Sequence, residues 1–372
     1  MDNIINEYLK HMVDTDASDI YLTVGVPPAF RIEGIVTPYG EREMTAEDTQ
    51  NFAYAVMNDQ QKKKFEEEFE MNLAIYRPEY GRFRINIFRQ KSFVGIVIRQ
   101  IKMTIKTIDE WGLPAVMKDI CMSKRGLVLV VGATGSGKST TLAALIDYRN
   151  SNQRGHIITI EDPVEYVHQH KMSVITQREV GFDTLSFYNA LKNTLRQAPD
   201  VILIGEIRDA ETMEDAITFA ETGHLCLATL HANNANQAIE RILNFFPIER
   251  HLQIYMQLSL NIRAIISQRL IPTIEGKRAA LIEILLDSPR IKDLILRGEI
   301  TMLKETMAES YFEGMQTFDQ HIFDMYQAGI LGLDNAIAYA DSPNDVRLKI
   351  KMAEMKPSDS KEKHDTGLKF KY

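Results

Sequence analysis

The sequence predicts an α/β fold in which a parallel sheet with intervening helices forms the centre of the chain. Three observations support this prediction. Four short apolar runs recur along the middle of the chain, helix-forming stretches separate them, and each run leads into a glycine-rich, acidic or histidine-containing segment. Strands that alternate with helices in this way are typical of a doubly wound parallel sheet. The four runs are residues 127–131, 156–160, 201–205 and 225–229.

Length and composition indicate an ordinary globular chain. The 372 residues suggest two domains with an appendage. A net charge of −8 makes a nucleic-acid partner unfavourable, because such proteins are usually basic. The two cysteines, Cys121 and Cys226, form no CxxC pair, which fits a reducing cytoplasm and excludes a cysteine zinc site. No apolar run reaches the roughly 20 residues that span a bilayer, so we expect membrane association only through a partner.

Residues 1–100 predict a small α+β domain, and residues 101–115 a linker to the next domain. Thr45 followed by Asp48 has the pattern of a helix N-cap, and the helix should run to about Met57. The remaining elements expected here are a helix over residues 3–13 and β-like runs at 20–24, 30–35, 83–88 and 92–100.

The segment after the first apolar run of the core is a complete Walker A phosphate loop. Its glycines allow several backbone N–H groups to point at a phosphate chain, and the following helix directs its positive end at the same anion. Lys138 would add a positive charge at the β- and γ-phosphates, and Ser139 would offer a hydroxyl group to Mg²⁺. The predicted nucleotide-binding residues are Gly132, Ala133, Thr134, Gly135, Ser136, Gly137, Lys138, Ser139 and Thr140.

Carboxylates follow the next two apolar runs. Glu206 occupies the position of a Walker B acid and could bind Mg²⁺, act as a base, or only precede a helix. Glu161 is the preferred residue for orienting or deprotonating water, with Glu206 as its rival. Asp162 could only form a turn before Pro163, and Glu165 could be a simple surface charge. Since parallel strands end at one edge of a sheet, we expect Glu161 and Glu206 to gather there.

Two histidines flank the fourth run. His231 follows it and could sense the γ-phosphate, whereas His224 precedes it and is as readily a structural hydrogen-bonding residue.

The first domain also carries four arginines of interest. Alternation along a strand places Arg82 and Arg84 on one face. These arginines could simply form a solvated basic face, or one could act across a subunit boundary as an arginine finger. The candidates are Arg82, Arg84, Arg89 and Arg99.

The boundaries that follow from these patterns assign residues 116–275 to the ATPase core. Residues 276–350 should be a largely helical region. The charged residues 351–372 should form a disordered tail, because few of them are apolar.

Taken together, these motifs resemble the secretion-superfamily ATPases, and within them the type IV pilus retraction ATPases of the PilT/PilU family. The matching boxes are ASDIYLTVGVPPAFRIEG (17–34), GRFRINIFRQ (81–90), ITIEDPVEY (158–166), VILIGEIRD (201–209), TGHLCLATLHANNANQAIERILNFFP (222–247), ISQRLIP (266–272) and GMQTFDQHIFDMYQAGIL (314–331). The resemblance implies a RecA-like P-loop ATPase core preceded by a small PAS-like domain. It also implies ATP and Mg²⁺ as ligands.

The resemblance further implies a cytoplasmic homo-hexamer at the pilus base. In such a ring, an arginine of one subunit would lie near its neighbour's nucleotide. The expected partners are an inner-membrane platform protein and a sister retraction ATPase similar to PilT. The chain lacks the tetracysteine zinc motif that assembly-type relatives usually carry. An accessory motor is favoured by the extended polar tail and by RIKDLILRGE (290–299), which stands where the main retraction motors carry AIRNLIRE. A regulatory ATP-binding partner and a nucleic-acid translocase remain the alternatives.

Overall fold

The computed structural model describes residues 2–101 and 103–355 of the chain. These residues form two compact units by their contacts. The first contains the residues up to 110 together with 117–128 and 139–229, and the second contains 111–116, 129–138 and the residues from 230 onward. Each unit has its own apolar core.

A six-stranded antiparallel sheet and three helices form the first part of the first unit. The strands are β1 (Asp19–Leu22), β2 (Ala29–Ile32), β3 (Ile35–Pro38), β4 (Glu70–Arg77), β5 (Gly81–Gln90) and β6 (Phe93–Ile101). Their order in the sheet is β3-β2-β1-β6-β5-β4. The helices are α1 (Asp2–Asp14), α2 (Ala46–Val56) and α3 (Asp59–Glu68).

The two faces of this sheet differ in polarity because side chains alternate along each strand. On β5, Phe83, Ile85 and Ile87 are fully buried in a core that also contains residues of all three helices. The intervening residues of β5 point to the other face, where Arg82 and Arg84 lie. The predicted α+β character of the segment is therefore confirmed.

Local capping confirms one predicted helix. Thr45 is the N-cap of α2, its hydroxyl accepts a hydrogen bond from the Asp48 amide, and the Asp48 carboxylate accepts one from the Thr45 amide. The predicted strand over 30–35 is wrong as a single element. Glu33 and Gly34 adopt φ values of 50° and 86°, and this turn separates β2 from β3. Helix α3 and strand β4 were not predicted.

A second sheet has seven strands in the order β13-β12-β7-β11-β10-β8-β9. They are β7 (Gly126–Val131), β8 (Gly155–Glu161), β9 (Ser173–Glu179), β10 (Val201–Ile204), β11 (Leu225–Leu230), β12 (Ile262–Pro272) and β13 (Arg278–Leu286). The four predicted core strands are present, and the α/β fold is confirmed. Parallel pairing joins β11 to β10, β10 to β8 and β8 to β9.

An antiparallel pair of strands extends the predicted parallel sheet. Strands β12 and β13 pair in the antiparallel sense over Ala264–Pro272, so the sheet is mixed. The sequence pattern also missed β9, and the region 276–350, expected to be largely helical, opens with β13.

Helices connect and follow these strands. They are α4 (Val116–Cys121), α5 (Lys138–Asn152), α6 (Phe187–Thr194), α7 (Ala210–Glu221), α8 (Ala235–Leu243), α9 (His251–Asn261), α10 (Pro289–Arg297), α11 (Leu303–Glu309), α12 (Phe318–Gln327), α13 (Leu333–Ala338) and α14 (Pro343–Glu354). Because α14 continues to Glu354, the tail predicted from 351 begins too early, and its remainder from 356 lies outside the described residues. Over the described ranges, no helix combines the length and apolar character that crossing a bilayer requires.

Candidate functional site

The phosphate loop connects the buried strand β7 to the 15-residue helix α5. At two positions of the loop, a side chain larger than that of glycine would collide with neighbouring atoms. A Cβ atom on Gly132 would lie 2.5 Å from the carbonyl oxygen of Gln268 and 2.5 Å from Ser136 Oγ. At Gly137, φ is +88°, and a Cβ atom would lie 2.8 Å from Gln268 Nε2. The loop therefore follows a path that larger residues would block.

Lys138 and Ser136 give this loop the chemistry of an anion site. Lys138 Nζ donates hydrogen bonds to the carbonyl oxygens of Gly132 and Ala133, both at 2.9 Å. Within the described residues, the buried Ser136 Oγ makes no hydrogen bond. The helix N-terminus, the ammonium group and the unsatisfied hydroxyl form a donor set that fits a phosphate chain. Thr134 and Ser139 are exposed on the loop and on the first turn of α5.

His231 lies beside the start of the loop. It follows β11 directly, and it lines a cavity of about 290 Å³ with Gly132, Ala133 and Asn233. The structure thus brings together the phosphate loop and the histidine that the sequence predicted to sense phosphate. His224 differs, because its Nδ1 lies 3.0 Å from Thr222 Oγ1 and 3.2 Å from the Phe219 carbonyl oxygen. These local contacts fit its structural interpretation.

Glu161 ends β8 and is held by two neighbouring side chains. Thr159 Oγ1 donates a hydrogen bond to Glu161 Oε1 at 2.7 Å, and Gln177 Nε2 donates to the same oxygen at 3.3 Å. Burial raises the pKa of Glu161 to about 7, which the two hydrogen bonds only partly oppose. A carboxyl group with a pKa near neutrality is suited to accept a proton from water.

Glu206 lies on the loop after the neighbouring strand β10. Arg208 donates two hydrogen bonds to Glu206 Oε2, from Nε at 2.8 Å and from Nη2 at 2.6 Å. Arg208 Nη1 also lies 3.6 Å from Asp162. A Cβ atom on Gly205 would lie 3.0 Å from Glu161 Cα, so the Glu206 loop passes close to Glu161. The backbone segments that carry Glu161 and Glu206 therefore lie side by side. Arg208 was missed, although it lies two residues from Glu206.

The four predicted arginines do not form one group. Arg84 Nη2 donates to Glu179 Oε1 at 2.7 Å, and Arg82 Nη2 lies 3.6 Å from Glu179 Oε2. Arg99 pairs with Asp19 on the same face of the sheet, at 2.8 Å. Arg89 points to the opposite face, where its Nη2 lies 2.7 Å from a carboxylate oxygen of Glu66.

Glu179 is the second residue of this region that the sequence analysis missed. It ends β9, a strand that was not predicted, and its side chain is 1% exposed. The available signal was the short run SVITQRE, which alternates and ends in an acid as β8 does.

Over residues 2–101 and 103–355, no group of three or more His, Cys, Asp or Glu side chains is placed to hold a metal ion. Thr140 Oγ1 lies 3.0 Å from the hydroxyl oxygen of Tyr166.

The chain is similar to a known protein family and to individual pilus ATPases over most of its length. A family described as Type II/IV secretion system protein matches residues 1–311. The Type IV pilus ATPase PilU of Pseudomonas aeruginosa is 53% identical over 94% of this chain and 92% of its own length. The PilT pilus retraction ATPase of the same organism is 40% identical over 91% of this chain and 98% of its own.

A solved structure extends this similarity to the fold. The crystal structure of the pilus retraction motor PilT with bound ADP has a TM-score of 0.85 to this chain and 40% identity. The match covers 92% of this chain and 98% of that one.

Proposed function

Because this chain belongs to the Type II/IV secretion system protein family, and is an ATPase of that family, we propose that it hydrolyses ATP to drive type IV pilus retraction. The observation that carries the proposal is a complete phosphate loop in a chain that also carries the buried carboxyl group of Glu161, whose pKa is raised to about 7. Such a carboxylate can take a proton from the attacking water at neutral pH.

The residues divide the work of hydrolysis between them. The loop from Gly132 to Ser136 and the ammonium group of Lys138 bind the phosphates, and the helix α5 adds its dipole. Glu161 orients the water. Bound Mg²⁺ would neutralise charge on the phosphates, with Ser139 and Glu206 as its protein ligands. His231 responds to the terminal phosphate from the cavity it shares with Gly132.

The active form in this proposal is a homo-hexamer. The supporting feature is the arginine face of the first sheet, defined as the face that carries Arg82, Arg84 and Arg99. Arg99 remains 63% exposed, so this face can still offer a cation to a neighbouring subunit. We assign the ring to the cytoplasmic side of the inner membrane, where a platform protein would anchor it.

Helix α10 favours an accessory role beside a sister retraction ATPase similar to PilT. Its two outer arginines bind the helix's own Asp293, Arg297 at 3.0 Å and Arg290 at 3.7 Å, and are thus partly neutralised. This is the stretch that differs from the main retraction motors. The same observation supports the second candidate function, an ATP-binding regulator of the sister motor with little force generation of its own.

Steady-state ATP turnover of the full chain, with light scattering for particle mass, tests the motor. We expect a particle of six chains, and turnover that Lys138→Ala and Glu206→Ala abolish. Lys277→Ala is the matched control, because Lys277 is 80% exposed in the β12–β13 turn. A monomer without turnover would refute the autonomous motor.

Pilus retraction in cells separates the two candidates. The chain would be expressed in a strain that lacks its retraction ATPases, alone and together with a PilT-like ATPase. Retraction only in the presence of the sister ATPase, lost with Glu161→Gln, supports an accessory motor. Retraction that Glu161→Gln leaves intact but Lys138→Ala abolishes supports the regulator, because it needs ATP binding without turnover.

A further inference from the structure

Four polar side chains form a compact patch on one face of β8 and β9. Thr159 is the register partner of Gln177, and Glu161 is the register partner of Glu179. Register partners in a sheet point to the same face, so the four side chains lie together. Thr159 and Gln177 both donate to Glu161, and Glu179 completes the patch.

Glu179 receives its counter-charges from another element. Its carboxylate is 1% exposed, and Arg84 and Arg82 reach it from β5 with side chains that are 21% and 23% exposed. The two oxygens are not equally satisfied. Oε1 accepts a hydrogen bond from Arg84 at 2.7 Å, whereas Oε2 makes none among the described residues. The buried charge of Glu179 therefore depends mainly on one arginine.

The backbone ties Glu179 to Glu161 as well. The amide of Val180 donates to the carbonyl oxygen of Glu161 at 2.9 Å. Directly after β9 the chain turns, and the amide of Asp183 donates to the Glu179 carbonyl oxygen at 2.8 Å. A shift of Glu179 toward or away from its arginines would therefore be transmitted to the end of β8.

We propose that Glu179 is a positioning residue that couples Arg82 and Arg84 to Glu161. While the arginines hold Glu179, its charge is compensated and Glu161 can ionise. An anion that draws the arginines away leaves an uncompensated carboxylate beside Glu161 and disfavours a second negative charge there. This inference rests on the proposed function, in which Glu161 orients water.

Among the charged side chains near Glu161, Glu179 is the one that comes from the neighbouring strand β9. On the segment of Glu161 itself, Glu165 also acts on this carboxyl group, and both carboxylates raise its pKa. On the β10 side, the backbone of Gly205 packs against it. Beyond Gly205, the carboxylate of Glu206 is already engaged by Arg208, which also lies 3.6 Å from Asp162.

The test is the acid limb of the pH dependence of kcat/KM for ATP, measured with full-length variants. Glu179→Gln removes a negative charge, so the limb should move to lower pH, by about 0.5 unit. Arg84→Gln exposes the charge of Glu179 and should move the limb to higher pH by a similar amount. The double variant should behave like Glu179→Gln. Opposite shifts from the two partners of one ion pair would not arise from a merely structural role.

Two further variants keep the test decisive. Arg31→Gln removes a cation from the same face, 3.5 Å from Asp19, and should leave the limb unmoved. Arg84→Lys keeps the charge and should restore the wild-type limb even if Arg84→Gln does not fold. Shifts in the same direction, or none in any variant, would overturn the coupling. Absence of turnover in the wild type would instead refute the proposed function.

Discussion

The side-chain amide of Gln268 donates a hydrogen bond to the carbonyl oxygen of Ser136, 2.8 Å away and 132 residues earlier in the chain. Gln268 is 2% exposed on β12, and its backbone and side chain also limit the space beside Gly132 and Gly137. The segment ISQRLIP thus has a physical role in shaping the phosphate loop. This relationship makes the loop sensitive to a residue that never has to touch nucleotide.

Gln268→Ala should weaken nucleotide binding. The substitution leaves the buried Ser136 carbonyl oxygen without this hydrogen bond, which costs about 1–3 kcal/mol. We expect a lower melting temperature and a several-fold higher Kd for ADP by calorimetry. Gln60→Ala, at an exposed position of α3, is the control and should change neither. Unchanged ADP affinity in Gln268→Ala would contradict this role.

Gly137→Ala should damage the loop beyond the usual effect of a left-handed conformation. That conformation costs an L-residue about 1–2 kcal/mol, and the added Cβ also meets Gln268 Nε2. Gly276→Ala has a similar φ of +75° with nothing within 4 Å, so it isolates the conformational cost. Both variants should lose stability, but only Gly137→Ala should lose ADP binding in a titration. If Gly137→Ala and Gly276→Ala bind ADP equally well, the contact between the added Cβ atom and Gln268 Nε2 does not disturb the loop.

Glu161→Gln should stabilise the protein at alkaline pH while abolishing turnover. The folded-state pKa of about 7 lies above the ordinary value of 4.5, so the folded state prefers the protonated carboxyl group. Stability from this group is therefore complete below pH 4.5 and is lost as pH rises through 7. At pH 8 the variant should be more stable, by about 3 kcal/mol at most.

Thermal or urea unfolding at pH 8 and pH 4 measures this difference, which should shrink at the lower pH. Glu67→Gln, at an exposed position of α3, is the control and should show little change at either pH. A Glu161→Gln variant that is less stable than wild type at pH 8 would argue against the raised pKa.

His231→Gln and His224→Gln should have different consequences. His231 lines the cavity beside the phosphate loop, so its loss should lower kcat by at least about tenfold with little change in melting temperature. The His224 ring contacts its local turn, at Thr222 and Phe219, so its loss should affect stability and spare kcat. Measurements of kcat and melting temperature on both variants test these predictions. Equal effects on kcat would contradict a catalytic contribution from His231.

Local signals in the sequence were sufficient for much of the core. The phosphate loop, the strand ends that carry Glu161 and Glu206, and the capping box at Thr45 all depend on neighbouring residues. Their positions could therefore be predicted from short windows of sequence.

The missed elements depend on distant partners. Strand β12 interrupts its apolar pattern with Ser267, Gln268 and Arg269, and it becomes recognisable as a strand through its long pairing with β13. The ion pair that identifies Glu179 as part of this site is made with Arg84, which lies 95 residues away in the chain. Such pairings are set by tertiary packing, which local propensity does not encode.

The arginine face has a consequence for how the first sheet assembles. Arg31, Asp19, Arg99 and Arg84 stand in one cross-strand row over four neighbouring strands, opposite the apolar core. A slip of one residue in any of these strands would turn its charged side chain into the interior and expose apolar ones. Pairings in the wrong register are therefore strongly destabilised during folding, so this charged row favours the native strand register.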